Sequence, residues 1–171
     1  MYTLSLPLIG WVVSIFIVLL CFIVATLTFN TYRSVRIATS LLFFFMLATL
    51  IISPLMTGIK LDNKSINIYG HNGFLYDYIE YADIVTCETI SLEDKKIFKS
   101  FRKIIGKNIN EYRVGYFELK NGLMVKVMIN SDDALLLTTS DGEYYLLGPD
   151  EFNTFVSEVK SGIIRVNEYA H

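Results

Sequence analysis

Hydrophobic and polar positions follow three different rhythms along this chain. From Pro7 to Phe29, and again from Ile37 to Ile59, apolar residues run on with no charged side chain. Each run is about long enough to cross the hydrocarbon core of a bilayer as a helix. Only Asn30–Arg36 separates them, and it carries Arg33 and Arg36. That length allows little more than the bend of a helical hairpin. Residues 1–59 are therefore expected to form a membrane hairpin with spans near 7–29 and 37–59, after a short tail, Met1–Leu6. A cleaved signal peptide would want a basic start and a shorter apolar centre, and neither is present.

Past Ile59 the rhythm becomes alternating, as half-buried strands require. The alternation predicts strands at Ile66–Tyr69, Phe74–Ile79, Ile84–Thr89, Tyr112–Leu119, Leu123–Ile129, Ala134–Thr139 and Glu143–Leu147. Turn chemistry separates them: Gly70-His71-Asn72-Gly73, Lys120-Asn121-Gly122, Asp132-Asp133 and Ser140-Asp141-Gly142. Asn-Gly and Asp-Gly between alternating runs are strong hairpin signals. The third rhythm is helical, with Phe152, Phe155, Val156 and Val159 on one face. Gly148-Pro149 should open that helix, Asp150 and Glu151 suit its positive end, and Gly162 should stop it. The expected domain is thus 60–162, followed by a tail at 163–171.

One stretch carries a different signal. Lys95, Lys96, Lys99, Arg102, Lys103 and Lys107 lie in a segment with no acidic residue until Glu111. Ile97, Phe98, Phe101, Ile104 and Ile105 are interleaved with them. On a helical wheel the apolar five share one face and most of the basic residues the other, which predicts a basic amphipathic helix. Two readings stay open. The apolar face packs on the domain and leaves the lysines in water, or the basic face meets anionic lipid or an acidic partner.

Charge narrows the partners. All 17 acidic residues lie from Lys60 onward, with 13 of the 15 basic ones, so the soluble part is net acidic. A nucleic-acid binder would show the opposite balance. Cys21 and Cys87 fall in different parts of the chain, and His71 and His171 form no metal spacing. With no nucleophile elbow or phosphate loop either, no enzyme activity, metal or cofactor is expected. The side of the membrane stays open: Arg33 and Arg36 draw the bend inward, while Lys60 and Lys64 draw the domain inward.

The order of elements, with seven antiparallel strands and a closing helix, resembles the pleckstrin-homology (PH) fold. Arg113-Val114-Gly115-Tyr116-Phe117-Glu118-Leu119 with Lys120-Asn121-Gly122 looks like the Gly-x-Phe strand and turn of membrane-anchored bacterial PH-like domains. Leu135–Thr139, Gly142–Leu147 and Gly148–Phe152 resemble the strand pair and ending that follow. The resemblance spans about residues 60–161 and implies a bent barrel capped by its C-terminal helix. Phosphoinositide-binding relatives use a basic loop between their first two strands. Here that loop reads Gly70-His71-Asn72-Gly73, so that ligand is not carried over. The expected role is a non-enzymatic, multi-pass membrane-anchored interaction module that binds a protein partner or anionic lipid at the membrane surface. The alternative is an accessory subunit of a transporter or enzyme complex, packed through its hairpin.

Overall fold

The two uncharged runs become helices, and the second meets a proline before its expected end. In the structure, a computed structural model described for residues 1–28, 32–70, 75–92, 101–119 and 121–169, α1 spans Leu8–Leu27 and α2 spans Arg33–Leu47. A π-helical turn, Ala48–Ile52, and a short α3, Ser53–Leu55, follow. Pro54 has no N–H to donate to the preceding turn, and a widened turn accommodates the loss. The second helical stretch therefore ends at Leu55, not at Ile59, and Gly58–Ile59 already belong to a strand. Leu8–Leu27 and Arg33–Ile52 are each long and apolar enough to cross a membrane. Their side chains are mostly exposed, Phe16, Phe44 and Phe45 among them. The pair is held by Phe22 against Phe43, ring centroids 5.7 Å apart, and by Thr28 Oγ1 donating to Thr39 Oγ1 at 3.0 Å. Thr26 and Thr49 return their hydroxyls to the Ile23 and Phe45 carbonyls, which satisfies those two protons within the helices.

The segment before α1 is not a tail. Tyr2–Thr3 forms β1 and pairs antiparallel with β2, Gly58–Leu61, matching Tyr2 to Ile59 and Thr3 to Gly58. With β3, Ser65–Tyr69, and β4, Leu75–Glu80, these make a four-stranded antiparallel sheet in the order β1-β2-β3-β4. A 3₁₀ turn at Tyr81–Asp83 leads to a second sheet. Its strands are β5, Ile84–Ser91; β6, Phe101–Ile109; β7, Tyr112–Leu119; β8, Met124–Ile129; β9, Asp133–Thr139; and β10, Tyr144–Gly148. Their order is β5-β9-β10-β8-β7-β6. β10 inserts between β9 and β8 and runs parallel to β8, so the expected purely antiparallel set of seven strands is corrected to two sheets with one parallel pairing. Helix α4, Phe152–Tyr169, closes the chain.

The basic amphipathic helix is also corrected. Residues 101–109 are strand β6, paired along its length with β7, while Lys95, Lys96 and Lys99 lie outside the described residues. A register shift between Lys103 and Ile105 explains the misleading pattern. A bulge inserts one residue and breaks strict alternation. Ile104 and Ile105 then both stay exposed, which on a wheel imitates a helical spacing. Asn110, at a φ of 54°, and Glu111 make the tight turn into β7.

Apolar side chains cover both faces of the large sheet, as expected when strands such as Leu135–Leu137 and Tyr145–Leu147 read almost continuously apolar. One face packs Leu135, Leu137, Met128 and Leu147 against Ile59, Ile66 and Ile79 of the small sheet and Phe155 and Val159 of α4. The other gathers Phe117, Leu119, Val125, Ile129 and Leu146. The N-terminal segment joins the first cluster through Tyr2, Leu4 and Leu6. The Tyr2 ring stands edge-on to Phe155 at 5.3 Å; burial and a hydrogen bond to Glu158 push its phenol up to about 12.

Asp150 fixes this segment from the other side. Its carboxylate accepts from Ser5 N at 3.0 Å, Ser5 Oγ at 2.8 Å, Thr3 Oγ1 at 3.1 Å, and the Asn130 amide. Pro149 and Asp150 precede a helix that begins only at Phe152, three residues later than the proline position suggested. Gly162 does not stop the helix either, because α4 runs on to Tyr169. Its role is clearance, since a Cβ there would lie 2.6 Å from Cζ of Tyr81.

Two outcomes follow from this packing. Gly162→Ala should gain about 1 kcal/mol of helix propensity. Overpacking against the Tyr81 ring should outweigh it, costing about 1–3 kcal/mol. A lowered denaturation midpoint checks the sign, and a raised one would show that α4 can lift off Tyr81. Asp150→Ala should cost about 1–2 kcal/mol, discounted for exposure. The loss should be seen first as faster amide exchange at Ser5.

Candidate interaction surface

Strand β6 lies at the outer edge of the large sheet, and among the described residues nothing pairs with its free side. Edge strands need charge to discourage further pairing, and β6 carries Arg102, Lys103 and Lys107. These three differ in setting. Arg102 is exposed and donates through Nε to Glu118 Oε2 at 2.6 Å across the β6–β7 pair. Lys103 is exposed. Lys107 is half-buried, and burial pulls its pKa below the ordinary lysine range.

The hairpin reaches this strand. Ile9, Val13 and Ile17 of α1, with Leu50, form one wall of a groove whose other wall includes Lys103, Gly106 and Lys107. The groove encloses about 610 Å³. Gly10 is buried where α1 begins, and a Cβ there would meet Ile109 Cδ1 at 3.9 Å. Ile9 to Ile17 spans about 12 Å of helix rise. The basic edge therefore runs beside the first turns of a helix whose outward side chains are apolar. Of the six basic residues expected to act together, the structure places Arg102, Lys103 and Lys107 on one strand.

A second charged constellation was not anticipated from sequence. Lys126 of β8 bridges the two sheets: its Nζ donates to Asp77 of β4, to Glu143 Oε2 at 2.6 Å, and to the Tyr145 hydroxyl at 2.9 Å. The Tyr145 hydroxyl also donates to Glu143 at 2.6 Å, and Lys126 sits 4.8 Å from the Tyr145 ring centroid. Burial alone would lower the Lys126 pKa, but these three hydrogen bonds carry it well above the usual range. Burial and Glu143 push the Tyr145 phenol up likewise. The signal was present in the alternation of β8: Val125, Val127 and Ile129 take one face, Met124, Lys126 and Met128 the other. A lysine among inward residues needs partners.

Lys126 has its own acids, and the cluster works as a clamp between sheets. Asp77, Glu80, Asp83, Asp141 and Glu143 line a nearby cleft of about 270 Å³. Among the described residues, no three His, Cys, Asp or Glu side chains are grouped to hold a metal ion. His71, in the loop that was read for a basic ligand site, lies outside the described residues.

A family model for the bacterial PH domain matches residues 57–163, more than half of the chain. The chain belongs to the bacterial PH domain family. The matched segment opens at Thr57, just before β2, and takes in β2 to β10 and most of α4, but not β1. Two N-terminal helices thus precede a β-rich PH-like domain ending in a helix. No curated protein and no solved structure matches it.

Replacing Lys126 with methionine should leave Asp77 and Glu143 without their shared cation, with only the Tyr145 hydroxyl between them. We expect a cost of about 2 kcal/mol, below that of a fully buried pair because the site is partly solvated. A raised folded pKa gives stability that is fully present below the unfolded value, near ~10.4, and lost as pH climbs through the folded one. The loss in midpoint should therefore be nearly constant from about pH 6 to pH 9. A gap that closes within that window would mean that Lys126 is not held charged.

Proposed function

We propose that this bacterial PH domain protein is a non-enzymatic interaction module, held at a bilayer by its hairpin, whose basic edge strand faces the anionic membrane surface. The observation that carries this reading is the groove between α1 and β6. It sets Lys103 and Lys107 beside Ile9 and Val13, where an inserted α1 would leave the hydrocarbon. Basic side chains at that level are worth about 1 kcal/mol each against anionic headgroups. Lys95, Lys96 and Lys99 add to the same run in sequence. The PH family supports an interaction role for protein or lipid, and a tether raises the effective concentration of any membrane partner.

The full chain should stay with the membrane pellet through alkaline carbonate washing. A soluble form is best made by replacing residues 8–55 with a short Gly/Ser linker, because this retains the β1–β2 pairing. It should bind vesicles containing phosphatidylglycerol, with affinity falling as salt rises. Changing Lys96, Lys99 and Lys103 together to glutamate should reduce binding at least about tenfold without lowering the thermal midpoint. Salt-independent binding, or none at low salt, would overturn the lipid-facing assignment.

The side of the membrane calls for a separate reporter. Cys87 is half-buried and burial pushes its thiol pKa up, so it should label slowly wherever it lies. Val85 is 65% exposed on the same strand. Val85→Cys should react with a membrane-impermeant maleimide at least about tenfold faster than Cys87 once the domain's side is opened, since reactivity follows thiolate fraction and access. Equal rates would show that the Cys87 side of β5 is open.

A further inference from the structure

A second cavity adjoins the groove. It is walled by Tyr76 and Tyr116, whose rings pack together with centroids 5.7 Å apart, and by Ile105 and Val114. Its volume is about 400 Å³, and its lining is almost wholly apolar. The floor is bare backbone. Gly106 and Gly115 face each other across β6 and β7 with φ of 131° and 136°. A Cβ on Gly106 would lie 2.1 Å from Val114 O, and one on Gly115 2.2 Å from Ile105 O. No side chain can fill the slot from below without parting these strands.

Gly106 and Lys107 line both the slot and the groove along α1, so the two hollows are neighbours along β6. At the slot's rim Ile105 is 65% exposed and Tyr76 42%. An apolar hollow with an apolar rim is unfavourable in water, and contiguous exposed apolar surface marks a contact site. Beside a bilayer the hollow can be filled by exchange, because a lipid chain moves from one apolar medium to another. Chain burial then selects little, and selection falls to the charge at the entrance. That charge is Lys103, exposed in the groove, with Lys107 lining both hollows.

We propose that this slot takes one acyl chain of an anionic membrane phospholipid, whose phosphate lies at Lys103 in the adjoining groove. The inference rests on the hairpin spanning the bilayer, and its test separates the two. The full chain is reconstituted into vesicles of phosphatidylcholine and phosphatidylglycerol in equal parts. A photoreactive diazirine is placed in the acyl chain of one lipid or the other, and adducts are mapped by peptide mass spectrometry.

With labelled phosphatidylglycerol, adducts should appear at Tyr76 and within Ile105–Tyr116, at least about fivefold above those from labelled phosphatidylcholine. Lys103→Glu should remove that preference. Ile105→Trp, a change at an exposed rim position, should abolish slot adducts while those on α1 and α2 persist. Labelled helices with an empty slot, equal labelling by both lipids, or slot adducts unchanged in Ile105→Trp would each overturn the proposal. Unlabelled helices would overturn the membrane reading as well.

Discussion

The pairing of β1 with β2 is the constraint on which the rest of the molecule depends. The chain enters α1 from one strand and leaves α3 into its neighbour, so the hairpin emerges from a sheet and returns to it. A two-residue ladder is weak alone. Here it is reinforced by burial of Tyr2, Leu4 and Leu6 and by Asp150 accepting from Thr3 and Ser5. Both ends of the hairpin are thereby tied to the domain core. That attachment brings α1 alongside β6 and creates the groove that gives the basic edge a meaning.

Much of this was legible because period and chemistry agreed. The uncharged runs, the Asn121-Gly122 and Asp141-Gly142 turns and the face of α4 each became the expected kind of element. What failed did so for identifiable reasons. β6 read as a helix because a bulge near Ile104 put two isoleucines side by side, and Gly106, at a φ closed to helices, was the contrary signal. The stop at Gly162 was inferred from a helix-ending preference, whereas the glycine is required by the approach of Tyr81 from another element. β1 and the β8–β10 pairing depend on contacts across 50 residues or across an intervening hairpin, which no local pattern encodes.

The candidate site was only half legible for a related reason. Sequence showed an unbroken basic run, and the structure puts Arg102, Lys103 and Lys107 on a sheet edge. It could not show that these charges have unequal work. Arg102 is engaged by Glu118, Lys107 is partly desolvated, and Lys103 stands in the groove beside α1. Lys126 was the residue most in need of an explanation, and its explanation is internal: two carboxylates and a phenol fix it between sheets. Lys103, by contrast, is exposed and lines the groove beside α1.

Charge on an edge strand has a plain structural use, since it keeps the edge from pairing with another chain. That use alone predicts charges wherever an edge is open. β5 is the opposite edge of the same sheet, and Ile84–Ser91 holds a single charged residue, Glu88. β5 is instead blunted by a register shift between Ile84 and Thr86 and by its contacts with α4, so it has less need of charge. β6 differs in lying against the base of the hairpin, where its lysines line a groove shared with α1 and its apolar slot neighbours that groove. Positive charge, an apolar hollow and an apolar helix in one place match the two halves of an anionic lipid, and edge protection requires only the first of the three.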